Sequence, residues 1–281
     1  MPTFQTPEPV TLIVELASGA LLVTADAIAT TGIELRPARP GDGDAQDLID
    51  QARIDHHGER VTVHLPEGRR AHLRHSPDVV IDVRVPIGSR LVAKTKSADV
   101  TAEGELGDTR VATGSGDVRL ADVDGSLVVE SGSGDVRAAT VAGDASIKTA
   151  SGDVVIGTCC SDIKIHTASG GIAVDLAEAD IDARTASGDI VVHQSDGSVS
   201  TRTASGDLTL QRVRGDSVSA VAASGDVEIG VERGVAVWLD VASVSGTVTS
   251  DLEPTDHQTP DRPVLQLRAH TTSGDVTVRS V

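Results

Sequence analysis

From residue 97 onward, hydrophobic and polar positions alternate in short runs that return at a fixed interval. The phrase Ser-Gly-Asp, followed by an alternating apolar run, begins near Ser97, Ser115, Ser133, Ser151, Ser169, Ser187 and Ser205, each 18 residues after the last. Further copies begin at Ser224, Ser245 and Ser273 with looser spacing. After each corner an aliphatic residue stands first and third, as in Val118 and Leu120, Ile190 and Val192, or Leu208 and Leu210, with mixed residues between them. Such alternation puts one face of a β-strand inward. A second alternating run follows about nine residues later, at Leu127 and Val129 or Ile163 and Ile165, after a turn such as "VDGS" (123–126), "VAGD" (141–144) or "VRGD" (213–216). Thr149, Thr167, Thr185 and Thr203 form another column just before the corner.

Each 18-residue unit therefore reads as strand, turn, strand, turn. One such unit buries too few side chains to offset its ordering entropy, so neighbouring units must share their faces and backbone hydrogen bonds. Equal spacing then stacks aliphatic on aliphatic, Thr on Thr and Gly on Gly. The expected fold class is all-β: a parallel β-solenoid (β-helix) of two-strand coils about 4.8 Å apart. A triangular hexapeptide helix does not fit, because positions 118, 124 and 130 are Val, Asp and Glu. The nine-residue half-period suits a flattened coil of two sheets.

Residues 1–95 are β-rich but outside this register, and are expected to cap the solenoid or begin it with irregular coils; 96–281 form its regular part. Strands are expected at 10–16, 20–25, 32–37, 60–65, 79–85 and 89–95, and a short helix within 44–54 with Leu48, Ile49 and Ala52 on one side. The Pro-rich stretch 253–263 is expected to be a loop interrupting a coil. The last strand, Val276 to Val281, then forms an uncovered final coil whose unpaired backbone groups invite another subunit or a partner, with Arg268, Arg279 and the Pro-rich loop as the alternative protection of that edge.

Composition narrows the functional classes. The chain has one Phe (Phe4), one Trp (Trp238), no Tyr and no Asn among 281 residues, so its core must be thin and aliphatic. Its net charge of −18 argues against nucleic acid and against anionic membrane surfaces. No apolar run approaches the length that spans a bilayer. Residues 1–25 lack the basic-then-apolar pattern of a secretory signal, with Glu8 and Glu15 in its place, and the two cysteines, Cys159 and Cys160, are adjacent. The expected setting is the reducing cytoplasm.

"TASGDVVIG", "TASGDIVV" and "TASGDLTL", with the opening "FQTPEPVTLIVELASGALLVTA", resemble the DUF4097 family of β-strand repeat proteins, also labelled adhesin-like. The resemblance covers the whole chain and implies a parallel β-helix with no established activity.

The strongest candidates for chemistry are the aspartates of the corner: Asp117, Asp135, Asp153, Asp189 and Asp207, extended by Asp99, Asp226 and Asp275. Stacked carboxylates repel unless compensated. Calcium would compensate them, as in glycine-rich rolls, but the column is broken at Gly171 and Thr247 and the second turn shows no matching acidic motif. The favoured reading makes each Asp an acceptor for turn amides, with Gly116, Gly134, Gly152, Gly170, Gly188, Gly206, Gly225 and Gly274 as structural turns that supply an unusual φ. "DHHG" (55–58) and "HLRH" (72–75) concentrate four histidines, read as loop residues rather than metal ligands. No GxSxG, HExxH, phosphate-binding loop or paired CxxC is present, so neither a catalytic residue nor a cofactor is expected. Polysaccharide lyases share the β-helix, but sugar clefts favour aromatic platforms that this chain hardly supplies. The expectation is a non-enzymatic scaffold or protein-interaction module that can associate through its ends. A calcium-binding roll and a carbohydrate-binding or carbohydrate-active β-helix are the alternatives.

Overall fold

A computed structural model describes residues 2–66, 77–252 and 264–281; the expected Pro-rich loop (253–263) and the histidines of "HLRH" lie outside the described residues. The chain divides into two compact units, Met1–Gly143 and Asp144–Val281.

In the first unit the elements are β1 (Thr3–Gln5), β2 (Thr11–Leu16), β3 (Gly19–Asp26), β4 (Thr30–Pro37), α1 (Gly43–Asp50), β5 (Arg53–His57), β6 (Arg60–His64) and β7 (Val79–Pro86). Then come β8 (Arg90–Thr95), β9 (Asp99–Leu106), β10 (Thr109–Thr113), β11 (Val118–Val123), β12 (Leu127–Ser131) and β13 (Val136–Val141). They form two sheets, in the orders β1-β4-β7-β3-β9-β11-β13 and β12-β10-β8-β2-β6-β5. Successive coils pair in parallel at 18-residue offsets, Val118 on Val136 and Leu127 on Thr109. Val100, Val118 and Val136 from one sheet, and Leu91, Val111 and Val129 from the other, are fully buried.

The six strands expected before residue 96 are present, and the irregularity there has a physical use. β4 runs antiparallel to β7, β1 antiparallel to β4, and β5 antiparallel to β6, so three antiparallel strands replace the last open parallel edges of this unit. β1 and β5 were not expected; β5 takes in "DHH", which is strand rather than loop. The helix is shorter than 44–54. Asp42 caps it by accepting from the Ala45 amide at 3.1 Å, and its buried face centres on Ala45, with Leu48 and Ile49 only half-buried.

The second unit repeats the two-strand coil. One sheet holds β15 (Val154–Cys159), β17 (Ile172–Ala177), β19 (Ile190–Ser195), β21 (Leu208–Val213), β23 (Val227–Val231), β25 (Val248–Ser250) and β27 (Val276–Ser280). The other holds β14 (Ala145–Thr149), β16 (Ile163–His166), β18 (Ile181–Arg184), β20 (Val199–Ser205), β22 (Ser217–Ser224), β24 (Ala236–Ser245) and β26 (Val264–Ser273). Within each sheet these neighbouring coils pair in parallel at 18-residue offsets: Ile172 on Ile190, Ile190 on Leu208, Ile163 on Ile181. Each coil directs four or five small or aliphatic side chains inward, which is why the fold needs almost no aromatic residue.

The final coils correct the expected chain order. β26 lies between β22 and β24, and β27 between β23 and β25, so the chain returns and inserts its last segment one place inward. The outermost coil is β24–β25, not Val276–Val281. Packing explains the exchange: Leu265, Leu267, Ala269, Val276 and Val278 are all buried, whereas β24 carries the exposed Trp238 and Val244.

Candidate functional site

The corner that includes Ser187-Gly188-Asp189 is a clip between coils. In the first unit the Asp117 amide donates to Asp99 Oδ1 at 2.9 Å and the Asp135 amide to Asp117 Oδ1 at 3.1 Å. In the second unit Gly171 donates to Asp153, Asp207 to Asp189, Asp226 to Asp207, Asp275 to Asp226 and Thr247 to Asp275, all at 2.7–2.9 Å. Each carboxylate thus accepts the amide at the same position of the next coil, a charge-assisted bond repeated along the column. The other oxygen of Asp117 takes Arg119 at 2.8 Å, and that of Asp135 takes Arg137 at 3.1 Å. This is how neighbouring carboxylates are tolerated. Thr247 ends the column because β25 is outermost in its sheet and needs no carboxylate for a further coil.

Glycine is required by approach more than by conformation. A Cβ on Gly116 would lie 1.9 Å from the Ala98 carbonyl oxygen, and one on Gly188 2.1 Å from that of Gly170. Gly134, Gly170, Gly206, Gly225 and Gly274 meet the preceding coil in the same way. Only the last three of these combine it with a left-handed φ, near 145°. Behind the corner the buried hydroxyl column works on the same glycines: Gly116 and Gly152 donate to Thr113 and Thr149, while Thr185 and Thr203 donate to the carbonyls of Gly170 and Gly188.

A second acidic column, absent from the expected pattern, lines the other turn. Asp108 Oδ1 accepts both the amide and the hydroxyl of Ser126 at 3.0 Å; Asp162 accepts from the Asp180 amide at 3.3 Å and Asp180 from the Ser198 amide at 2.8 Å. Ser161 Oγ donates to Asp144. The amide and hydroxyl of Ser126, with Arg90 adding to them, hold Asp108 below the usual carboxylate range. Both turns are therefore built alike, which a column read at 108, 126, 144, 162, 180 and 198 already contains.

The remaining chemical groups stay dispersed. His56 and His57 are consecutive on β5 and so point to opposite faces; His56 stacks on Phe4 with ring centres 4.9 Å apart. Cys159 is buried and Cys160 exposed; burial raises the Cys159 thiol pKa, and burial together with Glu178 raises that of Cys160, which opposes a nucleophilic role for either. Among the described residues no three His, Cys, Asp or Glu side chains gather to hold a metal ion. On the outer face of the second unit Lys148, His166, Arg184 and Arg202 stack in consecutive coils. Burial holds His166 below the usual imidazole range; Asp182 pulls the other way, and Arg184, Lys164 and Lys148 reinforce the lowering.

The outermost coil is the other notable surface. Trp238 is 55 % exposed, Val244 82 % and Val248 43 %, while the inward-facing Val237, Leu239 and Val241 are only half-buried. Asp240 on the same strand is clasped by Arg268 at 3.0 Å and His270 at 3.1 Å, both on β26; the His270 contact, then Arg268, keeps it ionised below the usual range. Arg279 pairs inward with Glu228 instead of guarding this edge.

Parallel two-strand coils, clipped at both turns by aspartates and closed by glycine, define a β-solenoid repeat protein. Two matches to the family model described as Toastrack DUF4097, over residues 9–176 and 142–279, cover most of the chain, which belongs to that family. No curated protein matches it. Among solved structures it is similar to a "putative adhesin" from Bacteroides fragilis (11 % identity, TM-score 0.39). It is also similar to a "putative lipid binding protein" from Parabacteroides distasonis (13 %, 0.39) and a "putative adhesin" from the same organism (12 %, 0.33). Each of these comparisons covers 100 % of this chain and 95 % of the other. Among the described residues no helix is long and apolar enough to cross a membrane.

Proposed function

We propose that the chain is a non-enzymatic scaffold of the reducing cytoplasm that binds other proteins through its outermost coil and flat faces, and associates with its own copies through that coil. The observation that carries this reading is the β24–β25 edge, outermost among the described strands, where Trp238, Val244 and Val248 are exposed and no described strand pairs with the outer side of β24. The polar columns support it from the other side. Their carboxylates and hydroxyls are engaged in coil-to-coil bonds, so the most repeated groups of the sequence serve the fold. Light scattering on size-exclusion fractions across a concentration series tests self-association. The mean mass should rise above the 28.8 kDa of one chain as concentration increases. A constant 28.8 kDa at every concentration counts against it.

A further inference from the structure

We propose that β24 pairs antiparallel with β24 of a second copy about a two-fold axis through Val241, placing Trp238 opposite Val244 of the other chain. This rests on the scaffold reading and specifies its contact. β24 is a ten-residue strand at the edge of its sheet, long enough to template a partner strand. A two-fold contact brings the same edge to itself and runs the strands antiparallel.

Residue chemistry then selects the register. Only pairings centred on a residue keep inward side chains facing inward, because a one-residue slip exchanges the faces. Centring on Asp240 sets two carboxylates directly opposite, which is unfavourable. Centring on Ala242 moves Trp238 opposite Gly246 and wastes its ring. Centring on Val241 places Asp240 opposite Ala242 and joins Trp238 to Val244, the two large apolar side chains exposed on the outer face of the strand, as an aromatic and β-branched cross-strand pair. On the inner face Leu239 meets Ser243 and Val241 meets its own copy, covering aliphatic groups left half-buried in the single chain.

Charge and area agree. The chain carries −18 overall, but the only charge on β24 is Asp240, already held by Arg268 and His270. The ten-residue β24 edge is about 34 Å long and the three-residue β25 edge about 10 Å, so at about 10 Å of depth for each sheet the end face presents roughly 440 Å² per copy. That area, below the roughly 800 Å² per partner of a standard stable interface, suits a weak contact that forms as concentration rises.

The test uses the full chain with Cys160→Ser. Trp238→Cys and Val244→Cys variants are prepared separately and oxidised alone and as an equimolar mixture. The mixture should form a disulfide-linked dimer and neither variant alone should, since like positions lie about 20 Å apart in this register. Because Trp238→Cys removes a contact, the wild-type chain supplies a second readout: emission from Trp238, its single tryptophan, should shift to shorter wavelength as concentration rises. A shift without a cross-link in the mixture, or cross-linking of either variant alone, overturns the register. Mass growth by light scattering with no shift overturns this contact but leaves the scaffold reading standing. A chain that stays monomeric with unshifted emission overturns the contact and self-association together.

Discussion

Replacing Gly188 by Ala tests whether the corner glycines are there for close approach. The new Cβ would sit 2.1 Å from the Gly170 carbonyl oxygen and 2.6 Å from its carbon, where real Cβ atoms essentially never come closer than 3.0 Å. The two coils must separate locally by about 0.9 Å. Three bonds cross that gap: Ser187 N–H to Ala168 O at 2.9 Å, Ile172 N–H to Asp189 O at 2.9 Å, and Thr185 Oγ1–H to Gly170 O at 3.2 Å. Stretched by that amount they leave hydrogen-bonding range, and at about 1 kcal/mol each the loss is about 3 kcal/mol. At roughly 2–4 °C per kcal/mol, Gly188→Ala should melt about 6–12 °C below wild type in a calorimetric scan. Gly171→Ala is the internal control. There a Cβ meets only Asp153 Oδ1 at 3.6 Å and Asp189 O at 3.8 Å, ordinary contacts, and removing a glycine should raise stability by about 0.4–1 kcal/mol. Equal melting shifts for the two variants, or an unchanged melt for Gly188→Ala, would refute the reasoning.

Three other outcomes follow from the same geometry. Thr201 is buried with its hydroxyl unpartnered, so Thr201→Val should raise the urea midpoint by the equivalent of about 1 kcal/mol; a lowered midpoint contradicts this. Asp207→Ala removes the acceptor of the Asp226 amide and should cost about 1–2 kcal/mol by urea titration, equally in calcium and in chelator. A penalty confined to calcium would instead support the metal-stabilised roll. Asp108 has a lowered folded-state pKa, so its stabilising contribution is complete above the unfolded carboxylate value near 4 and is lost as pH falls further. The urea midpoint should therefore decline below about pH 4, and Asp108→Asn should flatten that decline; an identical pH profile in the variant rules the contribution out.

The coil was legible because stacking forces like onto like, so the physical repeat is written directly as an 18-residue interval at Ser115, Ser133 and Ser151. The second acidic column was harder to see because Ser126 and Ser198 interrupt the run of Asp108, Asp144, Asp162 and Asp180. Serine fits there by donating its amide to the carboxylate before it, as Ser126 does to Asp108. The order of the last coils depends on which of two nearly equivalent segments stacks inward, a competition between core fillings that local periodicity does not report. One residue did carry the signal: Thr247 replaces the corner Asp where no further coil needs a carboxylate. The antiparallel β1 and β5 were missed because three residues are too few to show a period and the β5 sequence RIDHH holds a single aliphatic residue, Ile54.

Amide hydrogen exchange of the wild-type chain, measured at low and high protein concentration, tests most directly whether the outermost coil is where this protein meets its own copies. Protection of β24 should increase with concentration while the interior strands β18 and β20 remain unchanged. Exchange in β24 that is independent of concentration would contradict the account.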